Sequence, residues 1–197
     1  SSEEPADLGG PAMQIAAGGS HACAVMMTGE VRCWGEGTHG RLGYGNTDHI
    51  GDDEPPSVAG IVDIDGLAKQ VVSIGYHTCA LLTNDSVRCW GYNLAGDLGY
   101  GISTSYIGDD ELPTSLGYVP IGGPVARIVP SSSFGGPTCA QLATGGLRCW
   151  GGGFFGSLGY GTVDDVGDNE TPADVPDVSY LDDIPFGGLF GLLTALQ

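Results

Sequence analysis

The sequence predicts an all-β chain, a propeller-like open array of three blades with one disulfide per blade. Three observations carry that expectation. The six cysteines fall into pairs ten residues apart, Cys23 with Cys33, Cys79 with Cys89 and Cys139 with Cys149. The second cysteine of each pair sits in a recurring stretch, "VRCWG" at Val31 to Gly35 and at Val87 to Gly91, and "LRCWG" at Leu147 to Gly151. A composition of 36 Gly and 12 Pro favours short strands and tight turns over long helices.

Each cysteine pair is symmetric about one residue: Thr28, Asn84 or Thr144. A turn centred there sets the two cysteines opposite each other in an antiparallel hairpin, at about 4.5–5.5 Å between Cα atoms, within reach of a disulfide. Closing so short a loop stabilises a hairpin by about 2–3 kcal/mol in the chain-entropy model. Zinc sites pair cysteines two to four residues apart, a spacing absent here. The alternative is six reduced core cysteines in a cytosolic protein. In the hairpin register Val31 and Cys33 share one face while Arg32 and Trp34 share the other. Ala24 and Ala22, opposite those two, leave them room. Trp34, Trp90 and Trp150 are expected in the blade core, packed between blades, and Gly35, Gly91 and Gly151 at a bend or close backbone approach. Arg32, Arg88 and Arg148 are expected to stack near the Trp of their repeat or to pair with an acidic loop residue.

The repeat is larger than the hairpin. Cys23 to Cys79 spans 56 residues and Cys79 to Cys139 spans 60. "LGYG" recurs at Leu42, Leu98 and Leu158, and "IGDDEPP" from Ile50 returns as "IGDDELP" from Ile107 and "VGDNETP" from Val166. Strand-built units of this period read as propeller blades. The expected division is a lead-in partial repeat at 1–13, repeats at 14–69, 70–126 and 127–188, and a surplus apolar strand at 189–197. That last segment aligns with the first strand of a repeat, as the N-terminal "EEPADLGG" aligns with the end of one. The third repeat departs from the pattern, with "SSSFGGPTC" in place of "GYHTC".

The stretch "HTCALLTNDSVRCWGYNLAGDLGYG", His77 to Gly101, resembles the regulator of chromosome condensation (RCC) repeat in the style of exported bacterial relatives. The resemblance extends over nearly the whole chain. It implies four-stranded propeller blades, usually seven to a ring, and a role as a protein-binding scaffold; three repeats fall short of a complete seven-bladed ring. The founding activity of that family, nucleotide exchange on a small GTPase with chromatin binding, is not expected of so acidic a chain.

The net charge of −18, from 24 acidic and 6 basic residues, opposes binding to phosphate backbones, so no nucleic-acid partner is expected. No apolar run is long enough for a membrane span. Regular cysteine pairing points to an oxidising setting, extracellular or at the cell surface. The acidic loops, Asp52, Asp53 and Glu54, then Asp109, Asp110 and Glu111, then Asp168 and Glu170, offer oxygen ligands of the kind calcium takes. They lack the alternating spacing of calcium loops, so solvated turns are expected, with calcium as the alternative and no other cofactor. His21 and His77, each just before a Cys strand, are expected to be packed and hydrogen-bonded; His39 and His49 lie elsewhere in the first repeat. No nucleophile or acid–base set is recognisable, and an enzyme is not expected. The leading expectation is a structural protein that associates with copies of itself head-to-tail, in a fibre or surface assembly. Its open blade ends would be joined through a donated strand carrying Leu189, Phe190, Leu192 and Leu193. The alternative is an adhesion or binding module that grips another surface protein or a glycan.

Overall fold

A computed structural model describes residues 6–102, 106–131 and 135–178. Ten strands run in chain order: β1 (Ala12–Ala17), β2 (His21–Met26), β3 (Val31–Gly35), β4 (Ala68–Ile74), β5 (His77–Leu82), β6 (Val87–Tyr92), β7 (Tyr106–Ile107), β8 (Val125–Pro130), β9 (Thr138–Leu142) and β10 (Leu147–Trp150). They form three antiparallel sheets, β1-β2-β3, β4-β5-β6-β7 and β8-β9-β10. Among the described residues the middle sheet has a fourth strand, two residues long. In the other two it shrinks to a single bridge, Gly35 to Ile50 and Gly151 to Val166.

The hairpins follow the register implied by the cysteine spacing: Cys23 opposes Cys33, Cys79 opposes Cys89 and Cys139 opposes Cys149. All three pairs are disulfides, with Cα separations of 4.0, 4.1 and 4.0 Å, shorter than the expected spacing. The cause lies on the outer side of each hairpin. The Tyr44 hydroxyl accepts from the Cys33 N–H and donates to the Cys33 carbonyl, both at 3.1 Å, so this cysteine spends no backbone bond on Cys23. Cys23 and Cys33 are therefore a narrow, non-hydrogen-bonded pair. Tyr100 on Cys89 and Tyr160 on Cys149 repeat the arrangement. Where the fourth strand is short, the tyrosine of "LGYG" satisfies the backbone that the strand leaves open.

Burial unites the blades. Val31, Cys33, Leu42, Ile74, Leu81, Trp90, Leu98, Ile128, Trp150 and Leu158 belong to one continuous apolar core. The first strands of neighbouring blades adjoin, β4 against β1 and β8 against β4. Arg88 is 3% exposed, and its guanidinium bonds the carbonyls of Ile64 and Gly117 while lying 4.6 Å from the centre of the Tyr118 ring. Arg32 likewise bonds the carbonyls of Ser57 and Gly60, and Arg148 bonds the Pro172 carbonyl and the Asp177 carboxylate. The expectation holds in part: Arg88 pairs with Asp65 at 3.5 Å and Arg148 with Asp177, carboxylates outside the three acidic loops, while the ring beside Arg88 is a tyrosine and not the Trp of its repeat. Each arginine fastens the long connection that leads out of its blade, and Arg88 also holds the one that leads in, at Ile64, because a guanidinium offers several donors to carbonyls that no strand pairs.

Candidate functional site

Neighbouring blades meet through a joint with a polar and an apolar half. In the polar half, His21 Nε2 lies 2.8 Å from Thr78 Oγ1, and His77 Nε2 lies 2.9 Å from Thr138 Oγ1. Thr78 spends its hydrogen on the Arg41 carbonyl, so His21 is the donor and carries its proton on Nε2. Burial lowers the imidazole pKa to about 4 at His21 and about 3 at His77, so both are neutral. A glutamine adds a second clasp. Gln14 donates to the Val71 carbonyl and accepts from the Val71 N–H, both at 2.8 Å, and Gln70 does the same to Ile128. A bulge in the first strand of each blade, just before these positions, aims the side chain sideways onto the neighbour.

In the apolar half, the Trp90 ring is fully buried, its Nε1–H donating to the Arg41 carbonyl, and Trp150 does the same to the Asp97 carbonyl. Each ring lies over a glycine of the preceding blade. A Cβ on Gly43 would come within 2.7 Å of Trp90, and one on Gly99 within 2.9 Å of Trp150. Trp34 is half-buried instead of lying in the core, because the described residues place no preceding blade against it.

The joint residues are missing on the outward sides. Ala22 stands where Thr78 and Thr138 bond the histidines, Pro137 stands where His21 and His77 are, and Arg127 replaces Gln14 and Gln70. Arg127 bonds Gln141 within its own blade. The proposed assembly residues Leu189, Phe190, Leu192 and Leu193 lie outside the described residues.

Where the strands end, a cluster sits that the sequence did not reveal. Tyr92 opposes Tyr106 across β6 and β7, and the Tyr92 N–H donates to the Tyr76 carbonyl. The His39 ring, delivered by the Gly-rich loop of the first blade, has its centre 5.8 Å from Tyr76, 5.5 Å from Tyr92 and 4.8 Å from Tyr106. The Arg41 guanidinium, 4.6 Å from the centre of the Tyr76 ring, pairs with Glu36 at 3.1 Å. Tyr76 is 38% exposed, and the other three rings are half-buried. The repeats disagree at these positions. Ser20 and Gly136 correspond to Tyr76, Glu36 and Gly152 to Tyr92, and His49 and Asp165 to Tyr106. His49 and Asp165 brace their Gly-rich loops by accepting the N–H of Gly37 and Gly153. In the second repeat the side chain of Asn93 braces the loop through Leu98 and Ile102, which frees Tyr106 from that duty. This comparison of unlike residues at like positions is the signal that could have found the cluster.

The acidic loops bring carboxylate oxygens together. Those of Asp52, Asp53 and Glu54 lie within 4.8 Å of one another, as do those of Asp109, Asp110 and Glu111. A shared hydrogen bond with Asp53 raises the Glu54 pKa, and burial raises that of Glu111. These groups could hold a cation. Asn169 separates Asp168 from Glu170 in the third loop, leaving it two carboxylates.

Sheets of three or four antiparallel strands, repeated along the chain and jointed side to side, define a β-propeller-type repeat array. The profile of the regulator of chromosome condensation (RCC1) repeat matches residues 14–41 and 69–97, so the chain carries repeats of that family. It is 31% identical over 153 residues to the ultraviolet-B receptor UVR8 of Arabidopsis thaliana, covering 77% of this chain and 32% of the receptor. It is 29% identical over 147 residues to the human E3 ubiquitin-protein ligase HERC2, covering 75% of this chain and 3% of the ligase. The chain thus spans a third or less of these relatives. Among solved structures, yeast RCC1 (Prp20) bound to Kap60 superposes with a TM-score of 0.62 at 13% identity, over 86% of this chain and 37% of that one. Human WBSCR16 gives 0.61 at 20% identity, over 88% and 40%. Both show the fold. No helix among the described residues is long and apolar enough to cross a membrane.

Proposed function

We propose that the chain is a non-enzymatic binding scaffold, working outside the cell or at its surface, whose tyrosine face grips another protein. The observation that carries this reading is the His39–Tyr76–Tyr92–Tyr106 cluster. The other two repeats build the same blade with Ser, Glu, His, Gly or Asp at the tyrosine positions, so the blade itself does not call for three tyrosines there. Tyrosine offers a large, stiff contact area with a polar tip, and it is enriched at protein interfaces. The family resemblance supports a scaffold role, and the disulfides suit an oxidising compartment. The test compares the full chain with a Tyr92→Ala, Tyr106→Ala variant as baits for surface and secreted proteins of the source cell. Retention by the full chain and loss by the equally stable variant is the expected result; equal retention by both refutes the reading.

A second reading is head-to-tail association of copies, with residues 189–193 as a donated strand. Half-buried Trp34 favours it, as does Gly159, whose nearest neighbour among the described residues is Val178, where Gly43 and Gly99 have a Trp ring. Light scattering across a concentration series separates the two: mass constant with concentration supports the binder, and rising mass supports the assembly.

A further inference from the structure

We infer that a cleft beside the tyrosine cluster is a receptor for a basic side chain, arginine in preference to lysine, presented by a protein partner. Tyr76, His77, Tyr92, Asp97 and Gly135 line it, and its volume is about 240 Å³. Pockets that take drug-sized molecules run from roughly 300 to 1,000 Å³, so this one suits a single side-chain head group.

The chemistry of the wall selects a cation. Asp97 is 3% exposed, and Oδ2 accepts the Ala95 N–H at 3.2 Å. Among the described residues it has no ion-pair partner; the four arginine and lysine pairs engage Glu36, Asp85, Asp65 and Asp177. His77 is committed to Thr138. Burial raises the Asp97 pKa, and the nearby Asp165 carboxylate adds to the rise. The attraction of such a carboxylate for a cation is stronger than that of a solvated one, because the surrounding dielectric is lower. The tyrosine rings alongside offer faces on which a guanidinium stacks.

One blade upstream the chain supplies its own version of the missing partner. Arg41 occupies the position equivalent to Asp97, fully buried, and Glu36 occupies that of Tyr92. There a guanidinium, a carboxylate and the Tyr76 ring come together within one chain. At Asp97 the carboxylate and the rings are present, and among the described residues no cation pairs with that carboxylate, the Arg41 guanidinium beside the Tyr76 ring being engaged with Glu36. The third repeat has Ser157 and Gly152 at these positions, so the arrangement belongs to the second blade alone. The net charge of −18 would steer a basic partner toward this surface.

The inference rests on the scaffold reading and gives its partner a chemistry. The full chain is titrated with Nα-acetyl-arginine methylamide and, separately, its lysine counterpart, at roughly 20 mM salt to limit screening. The Tyr76 and Tyr92 ring resonances are followed by NMR. Saturable shifts with the arginine probe are expected, weaker ones with lysine, and at least about tenfold weaker binding in Asp97→Asn, since the charge supplies most of the attraction. Tyr92→Leu should also weaken binding. Asp53→Asn makes the same charge change in a loop that does not line the cleft and should leave binding as it was. Shifts that never saturate, or equal weakening by Asp97→Asn and Asp53→Asn, overturn the inference. If the probes fail while the Tyr92→Ala, Tyr106→Ala bait still loses its protein partner, the cleft assignment falls and the scaffold reading stands.

Discussion

The histidine joints make stability depend on pH in a window set by their burial. His21 and His77 have native pKa values of about 4 and about 3, against 6.5 for an unburied imidazole. Above pH 6.5 the rings are neutral in both the folded and the unfolded chain and contribute no slope. Below it the unfolded chain takes up two protons that the native joints refuse. Stability then falls until the pH drops through the native values, where the slope flattens. At pH 5 the solution is 1.5 units below the unfolded pKa, and at 1.36 kcal/mol per unit each ring costs about 2 kcal/mol, or about 4 for the pair. Carboxylates whose pKa is raised by burial, Asp97 and Glu111 among them, pull the other way as the pH falls, so the wild type alone does not isolate the effect. The decisive comparison is with His21→Gln, His77→Gln, whose amides keep a donor toward Thr78 and Thr138. Urea unfolding at pH 7 and pH 5 should show the wild type losing about 4 kcal/mol more than this variant over the interval. NMR should show the His21 and His77 ring signals unchanged between those pH values. Identical pH slopes in the two proteins would mean that the imidazoles are solvated or charged in the native state, and the joint as described would be wrong.

Other expectations concern the blade itself. Tyr100→Phe strips the buried Cys89 backbone of the hydroxyl that bonds both its N–H and its carbonyl and should cost about 1–3 kcal/mol by urea unfolding, with the disulfides intact. Gly91→Ala meets both a positive φ of 105° and backbone, with Tyr76 O at 2.6 Å, so it should cost about 3 kcal/mol or more. Gly151→Ala at φ 102°, with no atom nearer than 3.7 Å, should cost about 1 kcal/mol. Replacing Cys79 and Cys89 together by Ala should lower stability by about 3 kcal/mol, and peptide mapping without reduction should return only the three local pairs.

The hairpins were legible because a disulfide fixes a register by arithmetic: two cysteines equidistant from a turn centre can face each other in few other ways. The tyrosine clamp was within reach and passed over. Tyr44, Tyr100 and Tyr160 each stand eleven residues after the second cysteine, a constant offset that marks a shared contact. The arginine partners were not legible, because carbonyls carry no sequence identity and the segments that supply them differ from repeat to repeat. Trp34 defeats a reading made by repeat equivalence. Its sequence context matches those of Trp90 and Trp150, but burial depends on a neighbour, and the described residues give it none. The tyrosine face escaped for the opposite reason. Looking for what recurs hides what one repeat does differently, and function gathered at positions where the three disagree.

The missing joint residues bear directly on association between copies. Suppose the outward side of the third blade met the first blade of another copy. Pro137 would face Ala22, and the histidine and threonine would be lost together. Removing both partners of a buried hydrogen bond is nearly neutral, whereas removing one leaves an orphan. Trp34 would find Gly159, so the apolar half of the joint would be complete. The third contact fails. Where Gln14 and Gln70 each bond one carbonyl and one N–H, Arg127 brings only donors. By repeat equivalence the N–H that it cannot satisfy is that of Ile15, on a strand whose edge would be covered by the new contact. A joint between copies would therefore have the apolar attraction of a native one without the clasp that fixes its register. Such a contact lacks what the strict repetition of a fibre needs, and the binding reading takes precedence over the assembly reading on that ground.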